Sequence, residues 1–300
     1  MAMEQREDEK YPEVLLPDLI EEAWHLKRRY GPLAGYVSGG TLLRTLWENG
    51  VRPMTKIMIS LEGIREMNGI SIVDGKLSVG AATTLSDCRN NGILNAHVPL
   101  LRKALDGIAA PSVRNLATIG GNIASRIGDS LPALLALDAE LIVYRDTSWH
   151  TIPLRDWLSQ DEEGRKGDDL ICRVLVPLQK LPDAERGGES FEYYEKLGRR
   201  EAFAPSLVTV AARGSRDADG VISEIMLSAG GGSAMPERLT DAEAALRGSQ
   251  LSSDMLGVVH GLIKRQYRAA EDLFADGEYR KEASANLITA RLWKLLKGKG

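Results

Sequence analysis

The sequence predicts two mixed domains, the second of the α+β class and the first α/β or α+β, and three observations carry this reading. Short apolar strands alternate with amphipathic helices through the first half of the chain. A cluster of turn-formers and charges, 179-QKLPDAERGGES-190, then interrupts it. Beyond that cluster three strands with hairpin-type connections come first and helices follow, the order of an α+β domain.

The elements follow in order. A helix is predicted in 17-PDLIEEAWHLKRRYG-31, where Leu19, Ile20, Ala23, Trp24 and Leu26 share helical spacing and Gly31 is a stop. The strand 34-AGYVS-38 runs into Gly39-Gly40, and Thr41 is positioned to cap a helix over 42-LLRTLWEN-49. A buried strand, 56-KIMISL-61, precedes 69-GISIVDGKLSVGA-81, a hairpin around the two-residue turn Asp74-Gly75. Thr84 opens a helical stretch, 99-PLLRKALDGIA-109 forms a second helix, and Pro111 breaks it. The segment 112-SVRNLATI-119 leads into a second glycine pair, Gly120-Gly121, before a helix in 131-LPALLALDA-139 and a strand in 140-ELIVYRD-146. In the second half, strands are predicted in 191-FEYYEKLG-198, 206-SLVTVAAR-213 and, after the Asp219-Gly220 turn, 221-VISEIMLSAGG-231. Helices are expected from Thr240 to Arg247, from Ser253 to Ala270 and over residues 283–296.

Composition narrows the function classes. The 300 residues are 43% hydrophobic and 27% charged with net charge −4, and no basic block or aromatic–basic stripe points to nucleic acid. Cys88 and Cys172 stand too far apart for the paired thiolate spacing of zinc or iron–sulfur sites, so they read as reduced, buried thiols. His25, His97, His150 and His260 are scattered at no ligand spacing, and no metal site is expected. The start, MAMEQREDEKYPE, is too charged for a signal peptide, and no apolar run reaches membrane length, which predicts a cytoplasmic protein.

The chemistry concentrates in 36-YVSGGTLL-43 and 117-ATIGGNIAS-125. Neither matches G-x-G-x-x-G or a P-loop, since no lysine follows Gly40. Consecutive glycines offer backbone N–H groups free of Cβ crowding, a nest for an anion. At the first pair a helix start would add unpaired donors and a positive dipole end, and at the second Thr118 and Asn122 would add side-chain donors. Two such nests could clasp a diphosphate; two unrelated tight turns are the competing reading.

The ordered set of motifs resembles the FAD-binding medium subunit of the xanthine dehydrogenase and carbon monoxide dehydrogenase family of molybdenum hydroxylases. It runs from Gly39-Gly40-Thr41 through 56-KIMISLEGIREMNGISIVDGKLSVGAATTLSDC-88, 113-VRNLATIGGNIAS-125, 129-DSLPALLALDAEL-141 and 194-YEKLGRREAF-203 to Pro236 with Arg238 and to Tyr279-Arg280. The resemblance spans Pro12 to Trp293. It implies an α+β chain: a two-part FAD-binding domain of the vanillyl-alcohol-oxidase (PCMH) type over residues 1–182, and a smaller domain of the CO dehydrogenase flavoprotein C-terminal type over 187–300. It also implies that the loop from Val37 to Arg44, with Val37, Ser38, Gly39, Gly40, Thr41 and Leu42 as its contacts, lies on the FAD diphosphate, and that Thr118, Ile119, Gly120, Gly121 and Asn122 hold diphosphate and ribityl. By the same resemblance Ile108 and Ile171 give apolar contacts, Asp129 bonds the cofactor's polar chain, and Lys196 reaches the flavin edge, where its charge would stabilise the reduced ring. The stretch 122-NIASRIGD-129 is about two residues shorter than the common form, which leaves open whether Ser125 or Arg126 shares the role of Asp129.

The function implied is an electron-transfer oxidoreductase subunit. Substrate would be oxidised on a molybdopterin-binding large subunit, and electrons would pass through the [2Fe-2S] clusters of a small subunit to FAD and on to NAD+ or another acceptor. A stand-alone FAD-dependent oxidoreductase and an FAD-free structural subunit are the competing readings.

Overall fold

The computed structural model describes residues 11–160, 168–178, 188–199 and 206–298. The chain opens with β1 (Glu13–Leu15), α1 (Ile20–Tyr30), β2 (Ala34–Val37), α2 (Thr41–Glu48) and β3 (Ile57–Ser60), which form a parallel sheet in the order β1-β3-β2. Helix α1 buries Ile20, Ala23 and Trp24 and ends at Gly31 with φ +53°. A second sheet is antiparallel, ordered β4-β5-β8-β6-β7. Its strands are β4 (Ile70–Val73), β5 (Lys76–Gly80), β6 (Glu140–Arg145), β7 (Ser148–Pro153) and β8 (Leu170–Pro177). The β4–β5 turn carries Asp74 at φ +50° and Gly75 at φ +71°, the doubly positive pair a two-residue hairpin needs.

Six helices fill the long excursion between β5 and β6: α3 (Leu85–Asn90), α4 (Gly92–His97), α5 (Pro99–Asp106), α6 (Pro111–Arg114), α7 (Ile119–Ala124) and α8 (Leu131–Ala136). Thr84 caps α3 by accepting from the Asp87 amide. Helix α9 (Leu154–Ser159) links β7 to β8. The pattern-based choice for this half resolves into both alternatives, a parallel βαβαβ unit beside an antiparallel sheet, around one shared core.

The second part is the antiparallel sheet β12-β11-β10-β9, built from β9 (Glu189–Gly198), β10 (Ser206–Arg216), β11 (Ile222–Gly231) and β12 (Ala234–Arg238). Helices α10 (Thr240–Leu246), α11 (Ser253–Gln266) and α12 (Gly277–Leu296) cover it and enclose a second core. The strand β12 was not expected: it is five residues long and contains Pro236, which its edge position tolerates. Trp293, on α12, is 41% exposed. The predicted boundary between 182 and 187 lies outside the described residues, as do Arg200 and Glu201.

Helix α8 joins the two parts. All six of its residues are buried, because one side meets the first core and the other meets β10 to β12. Ser228 Oγ donates to Pro132 O at 2.6 Å, and Arg238 Nη1 donates to Leu135 O at 3.1 Å. Glu243, 4% exposed, holds Arg238 in a bidentate pair at 2.6 and 2.9 Å. No helix among the described residues is long and apolar enough to cross a membrane.

Candidate functional site

The two glycine pairs meet. An ideal Cβ on Gly39 would lie 1.7 Å from Leu116 O, so only glycine lets the start of α2 pack on the backbone just before Ala117 and Thr118. Gly40, at φ +61°, is the N-cap of α2, and Thr41 is its first helical residue instead of the expected cap. No side chain among the described residues caps α2. The amides of its first turn therefore stay open, with the positive end of the helix dipole behind them. Beside them the Ser38 hydroxyl is enclosed with no hydrogen-bond partner among the described residues, in a residue that lines the open space in front of α2.

The second pair behaves differently from the nest its sequence suggests. Gly120 and Gly121 lie inside α7, whose N-cap is Thr118. Gly120 N donates to Ala81 O at 2.8 Å and Gly121 N to Thr118 Oγ1 at 3.1 Å, so neither amide is free. Gly120 is required by proximity: its Cβ would fall 2.7 Å from both Ala81 Cβ and Ala81 O. At Gly121 an added Cβ would meet only Thr118 Oγ1, at 3.1 Å. Its open side faces the cleft.

Between the pairs lies a cleft of about 400 Å³. Ser38, Gly39, Gly40, Thr41 and Leu42 line one side, and Thr118, Gly120, Gly121, Asn122 and Ile171 line another. Leu43, within the stretch expected on the cofactor, also lines it, whereas sequence reasoning missed the other apolar walls, Leu46, Leu61 and Met67, which look like core residues in any pattern. Trp157 is 5% exposed yet also borders the cleft. The charged residues on the wall, among the described residues, are Arg52 and Asp169, and Arg145 Nε holds Asp169 Oδ1 at 2.6 Å. Tyr36 donates to Asp168 O at 3.1 Å, and burial raises its phenol well beyond the usual range.

Five of the expected contacts do not line this cleft. Val37 lies in β2, Ile119 is 1% exposed in the core, and Ile108 is 6% exposed with its carbonyl accepting from Arg114 Nη1 at 2.8 Å. Lys196 and Asp129 bind each other instead: Nζ meets Oδ2 at 2.7 Å, and both side chains are 14% exposed. Lys196 also donates to Gly107 O at 2.9 Å, and Ser206 Oγ donates to Asp129 Oδ1 at 2.6 Å. Tyr194, its phenol raised by burial and then by Asp129, donates to Asp129 O at 2.9 Å. Asp129 is thus clamped between the two parts of the chain, both carboxylate oxygens engaged.

The short 125–129 loop has a definite shape. Arg126, at φ +61°, turns away from the cleft, donates to Gln160 O at 3.1 Å and lies 5.6 Å over the Trp157 ring, which fixes the loop against the end of α9. Ser125 stays on the cleft wall, its hydroxyl donating to Asn122 O at 2.6 Å. Cys88 and Cys172 are fully buried, and burial pushes both thiols up to about 12, so neither is a nucleophile here. No cluster among the described residues could hold a metal ion.

These features fit FAD. The volume is within the roughly 300–1,000 Å³ of small-molecule sites. An uncapped helix start and an unpartnered hydroxyl suit a diphosphate, and apolar walls suit flat rings.

Comparison with known proteins agrees. Residues 9–179 match the family described as the FAD binding domain in molybdopterin dehydrogenase, and residues 192–295 match the CO dehydrogenase flavoprotein C-terminal domain. The chain is 26% identical over 285 residues to the nicotinate dehydrogenase FAD-subunit of Eubacterium barkeri, covering 90% of this chain and 91% of that protein. It is 26% identical over 270 residues to the glyceraldehyde dehydrogenase medium chain of Sulfolobus acidocaldarius, covering 88% and 89%. In three dimensions it is similar to a carbon monoxide dehydrogenase chain of Hydrogenophaga pseudoflava, with a TM-score of 0.83 and 24% identity over 93% of this chain and 95% of that one. A quinoline 2-oxidoreductase chain of Pseudomonas putida gives a TM-score of 0.80 at 19% identity, covering 96% and 98%. At these identities the two structures speak to the fold alone.

Proposed function

Because the chain belongs to the family of FAD-binding domains in molybdopterin dehydrogenases, as the medium, FAD-binding subunit of such a complex, we propose that it relays electrons from the [2Fe-2S] clusters of a small partner subunit through FAD to NAD+ or another acceptor, in the cytoplasm. Substrate oxidation falls to a molybdopterin-binding large subunit. The observation that carries this reading is the pairing of an uncapped α2 start and the Ser38 hydroxyl with a facing Gly-Gly segment across one cleft, in a chain whose two cysteines are both buried in its core.

Bound FAD would supply a ring that accepts electrons and releases them to a second acceptor. The first-turn amides of α2 and the Ser38 hydroxyl would hold the diphosphate, with Thr118 and Asn122 opposite. The Gly39–Leu116 contact sets the width of the clasp. Leu43, Leu46, Leu61 and Met67 would hold ring surface and keep water from it. Lys196, off the cleft wall and already paired with Asp129, would act on the flavin only through space, a weaker electrostatic influence than a free ammonium at the ring edge.

Purification with co-eluting chains, followed by FAD titration of the medium subunit, tests the reading. The expected result is a yellow protein that binds about one FAD, travels with a cysteine-rich small subunit and is reduced through it. A colourless protein that cannot be reconstituted with FAD refutes the flavin reading, and substrate turnover by the isolated chain refutes the relay.

A further inference from the structure

The side-chain amide of Asn122 can face the cleft in two ways, presenting either its oxygen or its NH2. A diphosphate accepts hydrogen bonds and does not donate them, so only one of the two is useful. The structure contains a device that selects it. Ser130 sits at the entry to α8 with 0% exposure, and its Oγ donates to Asn122 Oδ1 at 2.6 Å. The Ser130 backbone N–H points at the same oxygen from 3.3 Å. With two donors on Oδ1, the oxygen is held away from the cleft that Asn122 lines, and Nδ2 is presented to it. Nδ2 meets no acceptor among the described residues.

The short loop before Ser130 is shaped around the same amide. A Cβ on Gly128 would lie 2.2 Å from Asn122 Oδ1 and 2.3 Å from Asn122 O, so the chain passes over Asn122 at a distance only glycine allows. Leu131 N returns to Gly128 O at 3.0 Å and closes the turn. Asp129, between the two, is held from outside by Lys196 and Ser206. The loop that looks like a deletion in the sequence is therefore a bracket: glycine gives it clearance, the second domain anchors its middle, and serine fixes the amide.

We infer that Ser130 is a positioning residue for cofactor binding, locking the Asn122 amide with its NH2 toward the diphosphate. Ser130 touches no part of the cleft itself and acts through Asn122. The inference rests on the FAD reading above, and the experiment separates the two.

FAD affinity is measured by quenching of flavin fluorescence on wild type, Asn122→Ala, Ser130→Ala, Ser130→Thr and the Asn122→Ala/Ser130→Ala double variant, each checked for folding by circular dichroism. Loss of a hydrogen bond to a charged acceptor weakens FAD about tenfold or more in Asn122→Ala. Ser130→Ala, which removes the shorter of the two hydrogen bonds that hold the amide, weakens it about threefold to tenfold. Ser130→Thr keeps the hydroxyl and restores affinity. In the Asn122→Ala background Ser130→Ala costs nothing further, because the group it orients is gone. Unchanged affinity in Ser130→Ala, or an equal loss with and without Asn122, overturns the inference. Failure of wild type to bind FAD overturns the reading beneath it instead.

Discussion

Gly39 gives the sharpest perturbation, because its clearance is the tightest on the cleft wall. In Gly39→Ala the new Cβ would start 1.7 Å from Leu116 O and 2.3 Å from the Leu116 carbonyl carbon, and both are backbone atoms that no rotamer can move. To regain ordinary contact the start of α2 and the 116–117 backbone must part by about 1.5–2 Å. Overpacking of this kind costs about 1–3 kcal/mol. Taken up entirely as a wider clasp, that cost corresponds to FAD binding about 5- to 150-fold weaker. Gly121→Val is the control. Gly121 is helical and open, and the added group meets only Thr118 Oγ1 at 3.1 Å. Its bulk goes into the cleft, so the fold is kept while FAD is lost. The assay is a thermal melt of each variant with and without FAD, together with fluorescence titration. Gly39→Ala should lose both melting temperature and affinity, and Gly121→Val affinity alone. Wild-type affinity in a folded Gly39→Ala protein would refute the claim that this contact sets the cleft, and flavin retained by Gly121→Val would refute the placement of the cofactor against α7.

Three further outcomes follow from the geometry. Asp129→Asn or Lys196→Met leaves one enclosed partner of a 2.7 Å ion pair uncompensated, and should cost about 3 kcal/mol in denaturant unfolding; no change would mean that the clamp between the two parts carries no load. Thr118→Ala removes the α7 cap and should cost about 1 kcal/mol, with Thr118→Ser recovering it in the same unfolding assay. Cys88 and Cys172 should resist a thiol-reactive disulfide at pH 8 in the native chain and react promptly in denaturant, since burial holds both thiols near 12. The folded chain keeps those two protons longer than the unfolded one, so their contribution to stability is intact below about pH 9 and fades as pH climbs through about 12.

Local signals carried much of the fold. Gly31 and Thr84 ended and opened helices as their chemistry requires, and Asp74-Gly75 made its hairpin. The strands β1, β7, β8 and β12 escaped notice: β1 and β12 are three and five residues long, and a short strand is stabilised by the partner it pairs with more than by its own pattern. The cleft was half legible. Glycines and small polar residues announced the phosphate side, whereas Leu46, Leu61 and Met67 carry no mark that separates a ligand wall from a core. The Asp129–Lys196 pair spans 67 positions, and no local pattern records which distant charge a carboxylate will meet.

The second glycine pair shows why identical dipeptides need not share a mechanism. In isolation two glycines cost a helix about 1 kcal/mol each relative to alanine, which argues for a turn at 120–121. Thr118 reverses the balance by capping the segment, and Ala81 fixes it, because any side chain at 120 would collide with the strand end it crosses. The glycines of α7 thus serve clearance and leave no donors spare, while those at 39–40 leave an uncapped helix start behind them. The electrostatic burden of a bound diphosphate then falls unevenly: α2 and Ser38 supply the donors, and α7 supplies a bare floor and the Asn122 amide. A substitution that puts a carboxylate at the start of α2 should accordingly weaken FAD more than the loss of any one donor from α7. Thr41→Asp, at the first helical position where no left-handed backbone is required, places a competing carboxylate beside those amides and a negative charge where the phosphates must lie. FAD affinity in Thr41→Asp below that of Asn122→Ala supports this division of labour, and the reverse order removes it.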